Sequence, residues 1–169
     1  MASSDNVTLA QAYRAFQGDQ QCDIPFIVWV LENPDSPLPV PGRIYLREHD
    51  YLHILLNRGI SPEDEAFVVG FTLGNDPRAT DRFLRFFKFL ARHFYPEPYR
   101  FQPGHLSIFD AGVQLGRQMK IKGLCSWDFS PHLDQPLSSL RAKIGIYWED
   151  HPKMLASEKP WDPAKHCAA

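Results

Sequence analysis

The stretch Ser61-Pro62-Glu63-Asp64-Glu65-Ala66-Phe67-Val68-Val69-Gly70-Phe71 decides the fold class. Its first four residues are the chemistry of a helix start. The Ser61 hydroxyl can accept from a free backbone N–H, Pro62 has no N–H to leave unpaired, and Glu63 and Asp64 complement the positive end of the helix dipole. Residues 66–71 are then apolar on every side, and a helix without a polar face has to be buried.

The neighbouring segments read as helices as well. Before the buried helix, Gly59 stands where a glycine closes a helix, so 44–58 is expected to be helical. The four prolines and the glycine of 33–42 make that stretch a loop. Thr8 can cap a short helix carrying Leu9, Tyr13 and Phe16 at helical spacing, with Gly18 ending it. Residues 23–31 form a compact segment whose periodicity fits either a helix or a strand. After the buried helix, Gly74-Asn75-Asp76-Pro77 is a turn into a helix over 79–94, stopped by Tyr95-Pro96-Glu97-Pro98. Further helices are expected over 106–119 and 137–143. Gly112 and Gly116, four apart, suit close packing against another helix. No internal repeat or domain boundary interrupts the chain, so the expectation is a single compact all-α domain over 1–169, with 147–169 as a Pro-rich extension.

Composition sets the limits. The chain has 169 residues, 44% of them hydrophobic, and a net charge of -2. A domain of this size buries roughly two thirds of its unfolded surface and needs no metal merely to stay folded. The balanced charge, with no basic run, argues against nucleic-acid binding. No apolar run approaches the roughly 20 residues of a membrane span, and the amino terminus has neither a signal-peptide core nor transit-peptide character. Cys22, Cys125 and Cys167 are odd in number and form no Cys-x-x-Cys pair, which suits free thiols in a reducing compartment. There is no phosphate-binding glycine loop and no Gly-x-Ser-x-Gly elbow.

His49-Asp50-Tyr51-Leu52-His53 is the segment with chemistry in it. Two imidazoles at i and i+4 share one helix face, so their nitrogens can converge on one ion. Asp50 lies at i, i+3 to His53 and can reach the edge of that site. If the helices flanking Gly59 run antiparallel, Glu65 comes level with His53. His49, Asp50, His53 and Glu65 are therefore a candidate divalent-metal site between two antiparallel helices. A plainer reading stands beside it: the two histidines also share a face with Tyr45, Leu52 and Leu56, and Asp50 or Glu65 could simply satisfy a buried imidazole. The other histidines, His93, His105, His132, His151 and His166, have no partner at ligand spacing and read as surface or loop residues.

His49-Asp50-Tyr51-Leu52-His53, eleven further residues and then Glu65 resemble the His-Asp-x-x-His-(x)11-Glu zinc motif of the coenzyme Q (ubiquinone) biosynthesis protein family. Members of that family are peripheral, lipid-binding organisers of the quinone-biosynthesis complex. Ile108-Phe109-Asp110-Ala111-Gly112-Val113-Gln114-Leu115-Gly116-Arg117-Gln118 is similar to a later helix of the family. Leu137-Ser138-Ser139-Leu140-Arg141-Ala142-Lys143-Ile144-Gly145-Ile146 is similar to its closing Leu-Arg-x-x-x-Gly-Ile signature. The likeness spans 43–146. It implies a divalent metal, with zinc first and iron or manganese as alternatives, held by His49, Asp50, His53 and Glu65. It implies a prenylated aromatic ring or another isoprenoid lipid as ligand, and support of oxidative decarboxylation with hydroxylation at ring carbon 1. The implied partners are other quinone-biosynthesis enzymes, with a homodimer left open. A non-catalytic lipid-binding scaffold and a metal-dependent hydrolase are the alternative functions.

The helix 79–94 carries a second pattern. Phe83, Phe87, Leu90 and Phe94 form one stripe, with Arg78, Arg82, Arg85, Lys88 and Arg92 opposite. That is a core-facing stripe with a solvated back, except that Phe89 projects from the basic side. Arg82, Arg85, Lys88, Phe89 and Arg92 are thus a candidate surface for an anionic membrane or a partner. The expected location is the cytoplasm, with peripheral attachment to the inner face of a membrane as the variant.

Overall fold

A computed structural model describes residues 7–16, 28, 31–38, 40–97 and 99–147. Among them the chain forms six α-helices: α1 Leu9–Ala15, α2 Leu46–Leu55, α3 Pro62–Asn75, α4 Asp81–His93, α5 Pro103–Gln118 and α6 Leu137–Ile144. Two short 3-10 turns, Leu124–Ser126 and Ser130–His132, precede α6, and the described residues contain no strand. The all-α expectation holds. Residues 23–27, Gly18 and the 148–169 part of the Pro-rich extension lie outside the described residues.

The buried helix forms as its sequence dictates. Ser61 Oγ accepts from Asp64 N, Pro62 opens the helix, and ten of the fourteen residues of α3 are buried. What lets α3 sit so deep is its contact with α5. A Cβ built on Gly70 or Gly74 would come within 3.0 Å of the α5 backbone at Phe109 or Val113. One built on Gly112 or Gly116 would meet the α3 backbone at Phe67 and Phe71 just as closely. The two Gly-x-x-x-Gly pairs interlock, and the helices touch main chain to main chain. Two apolar clusters flank this contact. Phe67, Val68, Phe71 and Leu115 belong to one, with α1, α2 and α6; Ala66, Leu73, Phe109 and Val113 belong to the other, with α4.

Polar ties lock the remaining elements. Asn75, fully buried at the end of α3, donates to Gly116 O and Ile121 O and accepts from Leu124 N at 2.8 Å. From α6, Arg141 donates to the carbonyls of Ile54 and Leu55 at 2.9 Å each, giving partners to carbonyls at the buried C-terminal end of α2. Asp76 accepts from Gly42 N at 2.8 Å and from Arg78, fastening the proline-rich loop to the end of α3. Thr8 caps α1 in a capping box with Gln11, and Thr8 pairs with Pro136 beside α6.

Some boundaries differ from expectation, each for a local reason. Helix α2 starts at Leu46, behind the extended Tyr45, and ends at Leu55. The left-handed residue that closes it is Asn57, with φ 55°, and not Gly59. Asn tolerates that conformation better than other side chains do. Helix α4 begins only after the Thr80 cap, and α5 begins earlier than expected, at Pro103, because a proline is suited to the first helical position.

Candidate metal centre

Helix α2 buries Leu52, Ile54 and Leu55 in the core, which carries His53 inward with them. His53 is 1% exposed and packs beside Phe16, while His49, one turn earlier, lies closer to the surface. The loop then folds the chain back so that Glu65, in the first turn of α3, meets both rings. His49 Nε2 lies 3.2 Å from Glu65 Oε2, His53 Nε2 lies 3.2 Å from Glu65 Oε1, and the two Nε2 atoms are 3.0 Å apart.

The position of His53 is held from behind. Its Nδ1 donates to Gly59 O at 2.7 Å, which places a proton on Nδ1 and makes Nε2 the nitrogen that faces Glu65 and His49. Gly59 is in turn fixed by Asp64, whose carboxylate accepts from Gly59 N, Ser61 Oγ and Arg58 Nη1, each at 3.1 Å. Asp64 is 2% exposed, and the Arg58 guanidinium also lies 3.9 Å over the Phe67 ring. The acid that begins α3 therefore also orients a histidine of α2, an outer shell of the kind that aligns metal-ligating imidazoles.

Electrostatics draw the three groups together. Burial opposes a charge on Glu65, yet the neighbouring His53 and His49 more than offset it and hold its carboxyl well below the usual carboxylate range. Burial likewise opposes protonation of His49, but the hydrogen bond and charge of Glu65 prevail and raise its pKa.

The donor set fits a divalent ion. Two ligands about 2.1 Å from one metal, with about 90–110° between them, lie roughly 3.0–3.4 Å apart. The spacings of 3.0, 3.2 and 3.2 Å match that edge length. Two imidazoles with one carboxylate suit zinc, iron(II) or manganese.

Of the four expected ligands, His49, His53 and Glu65 are the three whose ligand atoms converge. Asp50 is not in this group. One residue on from His49 it points about 100° around the helix, and its buried charge is felt by Tyr13 and Tyr51. A residue that local spacing did not single out stands nearby. Glu32, before the proline-rich loop, lines a pocket with His49, Ile44, Leu73 and Phe87, and accepts from Tyr95 Oη at 2.8 Å. Burial pushes its carboxyl up to about 7, against the opposing pull of Tyr95 and His49, while the charge of Glu65 adds to the rise.

The other expected positions separate. Arg82, Arg85, Phe89 and Arg92 are exposed on α4, whereas Lys88 is tied to Asp110 at 2.8 Å. Of the expected stripe, Phe87 is buried and Phe83 and Leu90 pack partly buried against the same core, beside the buried Leu84 and Ala91; Phe94 is 56% exposed and is not part of it. His105 is buried beside Glu63 at 3.5 Å rather than lying in a surface loop, and His132 stacks on Trp127. Cys125 is a buried free thiol, and Cys22 and Cys167 lie outside the described residues. No described helix is long and apolar enough to cross a membrane.

Fold and site together define an all-α protein with a His-His-Glu cluster between consecutive helices. No protein-family model, curated protein or solved structure matches the chain.

Proposed function

We propose that the chain binds one divalent metal ion through His49 Nε2, His53 Nε2 and the Glu65 carboxylate, and that it acts in quinone biosynthesis on a prenylated aromatic ring. The observation that carries the metal reading is the mutual spacing of the three ligand atoms, with the tautomer of His53 set by Gly59 O. The motif likeness over 43–146 supports the pathway.

When bound, a divalent ion supplies a Lewis acid for the ring carboxylate or hydroxyl. The protein's own groups do the rest. Glu65 neutralises charge and holds the two imidazoles in register. Asp64 and Gly59 keep the His53 proton on Nδ1. Glu32, with Tyr95 behind it, offers a carboxyl at the edge of the pocket that His49 lines. Replacing a ring carboxylic acid by a hydroxyl consumes dioxygen, two electrons and two protons, and releases carbon dioxide and water. The electrons come from an external donor. Held by His49, His53 and Glu65, zinc would supply Lewis acidity alone, whereas iron(II) or manganese would also supply a redox change.

The test is complementation of a strain deficient in the carbon-1 step, with ring-carboxylated intermediates measured by mass spectrometry. Wild type restores quinone and clears the carboxylated intermediate. Glu65→Gln, folded by circular dichroism, does not. Full restoration by Glu65→Gln, or none by the wild type, contradicts the reading.

A further inference from the structure

We infer that the outer face of α4 is a docking surface for an anionic lipid bilayer. The helix is apolar on two sides. Leu84, Phe87 and Ala91 face the core, which accounts for the inner side. Opposite them, Phe86 and Phe89 are each 52% exposed, and Phe94 at the helix end is 56% exposed. Two phenylalanines projecting from the thirteen-residue helix, with a third at its C-cap, are not explained by packing. The Phe89 ring instead lies 4.9 Å from His93 and 5.8 Å from Phe94, forming a small external aromatic cluster.

The residues between these rings identify the occupant. Positions 82, 85, 86, 89, 92 and 93 succeed one another at helical spacing, so Arg82, Arg85 and Arg92 share the exposed face with Phe86 and Phe89. Asp81 is the one acid of α4, and Arg117 binds it at 2.5 Å. Rings that enter the acyl boundary while flanking guanidinium groups meet lipid phosphates are the arrangement of an in-plane interfacial helix. A second copy of the chain fits poorly. A two-fold contact through this face would set Arg82 and Arg85 of one copy against the same cationic helix of the other. The docking inference itself does not depend on metal binding.

The experiment is sedimentation of the full chain with vesicles of pure phosphatidylcholine and of equimolar phosphatidylcholine and phosphatidylglycerol. Binding is expected to the anionic vesicles and to be lost at 1 M salt, where the screening length is about 3 Å. Replacing Arg82, Arg85 and Arg92 together by Gln is expected to weaken partitioning roughly 100-fold. Phe86→Ser with Phe89→Ser is expected to weaken it roughly 10-fold or more. These side chains are exposed, so thermal stability and metal content measured on the same samples should stay at wild-type values, which separates this inference from the metal reading. Absence of binding, equal binding to neutral vesicles, or wild-type binding by the Phe86/Phe89 variant would overturn it.

Discussion

Gly112→Ala tests how this fold is held together. The added Cβ would stand within 3.0 Å of Phe67 O and Phe71 N, both main-chain atoms of a buried helix, where ordinary contact begins at 3.4 Å. No rotamer change relieves a clash with backbone. Helix α5 must therefore move away from α3 by about 1 Å, and a gap of that size forfeits a quarter to a half of each contact along the interlock. Overpacking of this kind costs about 1–3 kcal/mol, and the upper end applies because the neighbouring glycine contacts open together. The intrinsic helix preference for Ala over Gly returns about 1 kcal/mol. The net expectation is a loss of about 2 kcal/mol, or about 4–8 °C in Tm for a chain of this size. Gly104 in the first turn of the same helix is the control, because nothing lies within 4 Å of its Cβ position. Gly104→Ala should leave stability unchanged or raise it by up to about 1 kcal/mol. Thermal and urea unfolding followed by circular dichroism measure both. A Gly112→Ala protein as stable as wild type would refute the backbone-contact account of the core.

Other consequences can be measured separately. Asp64→Ala leaves Arg58 buried without its carboxylate and releases Gly59, so unfolding free energy should fall by about 3–5 kcal/mol in urea titrations. In the same variant, metal affinity should drop about 10–100-fold as His53 loses its support. For Asp76, burial opposes ionisation, but Arg78 and Gly42 N–H lower its pKa from 3.8 to about 2. A depressed pKa stabilises the fold above the unfolded value, and that contribution disappears as pH falls from about 4 to about 2. Asp76→Asn should therefore flatten the acid limb of the stability profile in that window and cost about 2 kcal/mol at neutral pH. His49 has a folded pKa above its ordinary 6.5, so its pairing with Glu65 stabilises metal-free protein below pH 6.5 and stops doing so as pH rises through the higher folded value. Metal affinity should change in the opposite direction, increasing over that upper range as the competing proton leaves; a titration series across pH checks both.

Much of this architecture is local enough to read from the residues. Ser61-Pro62-Glu63-Asp64 marks the start of α3 because capping, the missing proline N–H and the dipole all act within one turn. The i, i+4 spacing of His49 and His53 with Glu65 across a short loop brings the three groups together for the same reason. What was not legible depends on the third dimension. Glu32 reaches the pocket from the far side of a proline-rich loop, and no local spacing relates it to His49. Gly112 and Gly116 signalled a close helix contact, but that Gly70 and Gly74 answer them is visible only once α3 and α5 are packed. Asp50 lies outside the converging ligand atoms because the one-residue offset from His49 turns it about 100° around the helix, and Phe94 lies outside the core because the helix ends at His93.

The central claim is that His49, His53 and Glu65 form a metal centre, and its most direct test is a calorimetric titration of the chelator-treated full chain with zinc, iron(II) under anaerobic conditions, and manganese. One ion should bind per chain, and His53→Ala and Glu65→Ala should each abolish stoichiometric binding while Asp50→Asn retains it. No stoichiometric binding by the wild type, or unchanged binding by His53→Ala, would contradict the account.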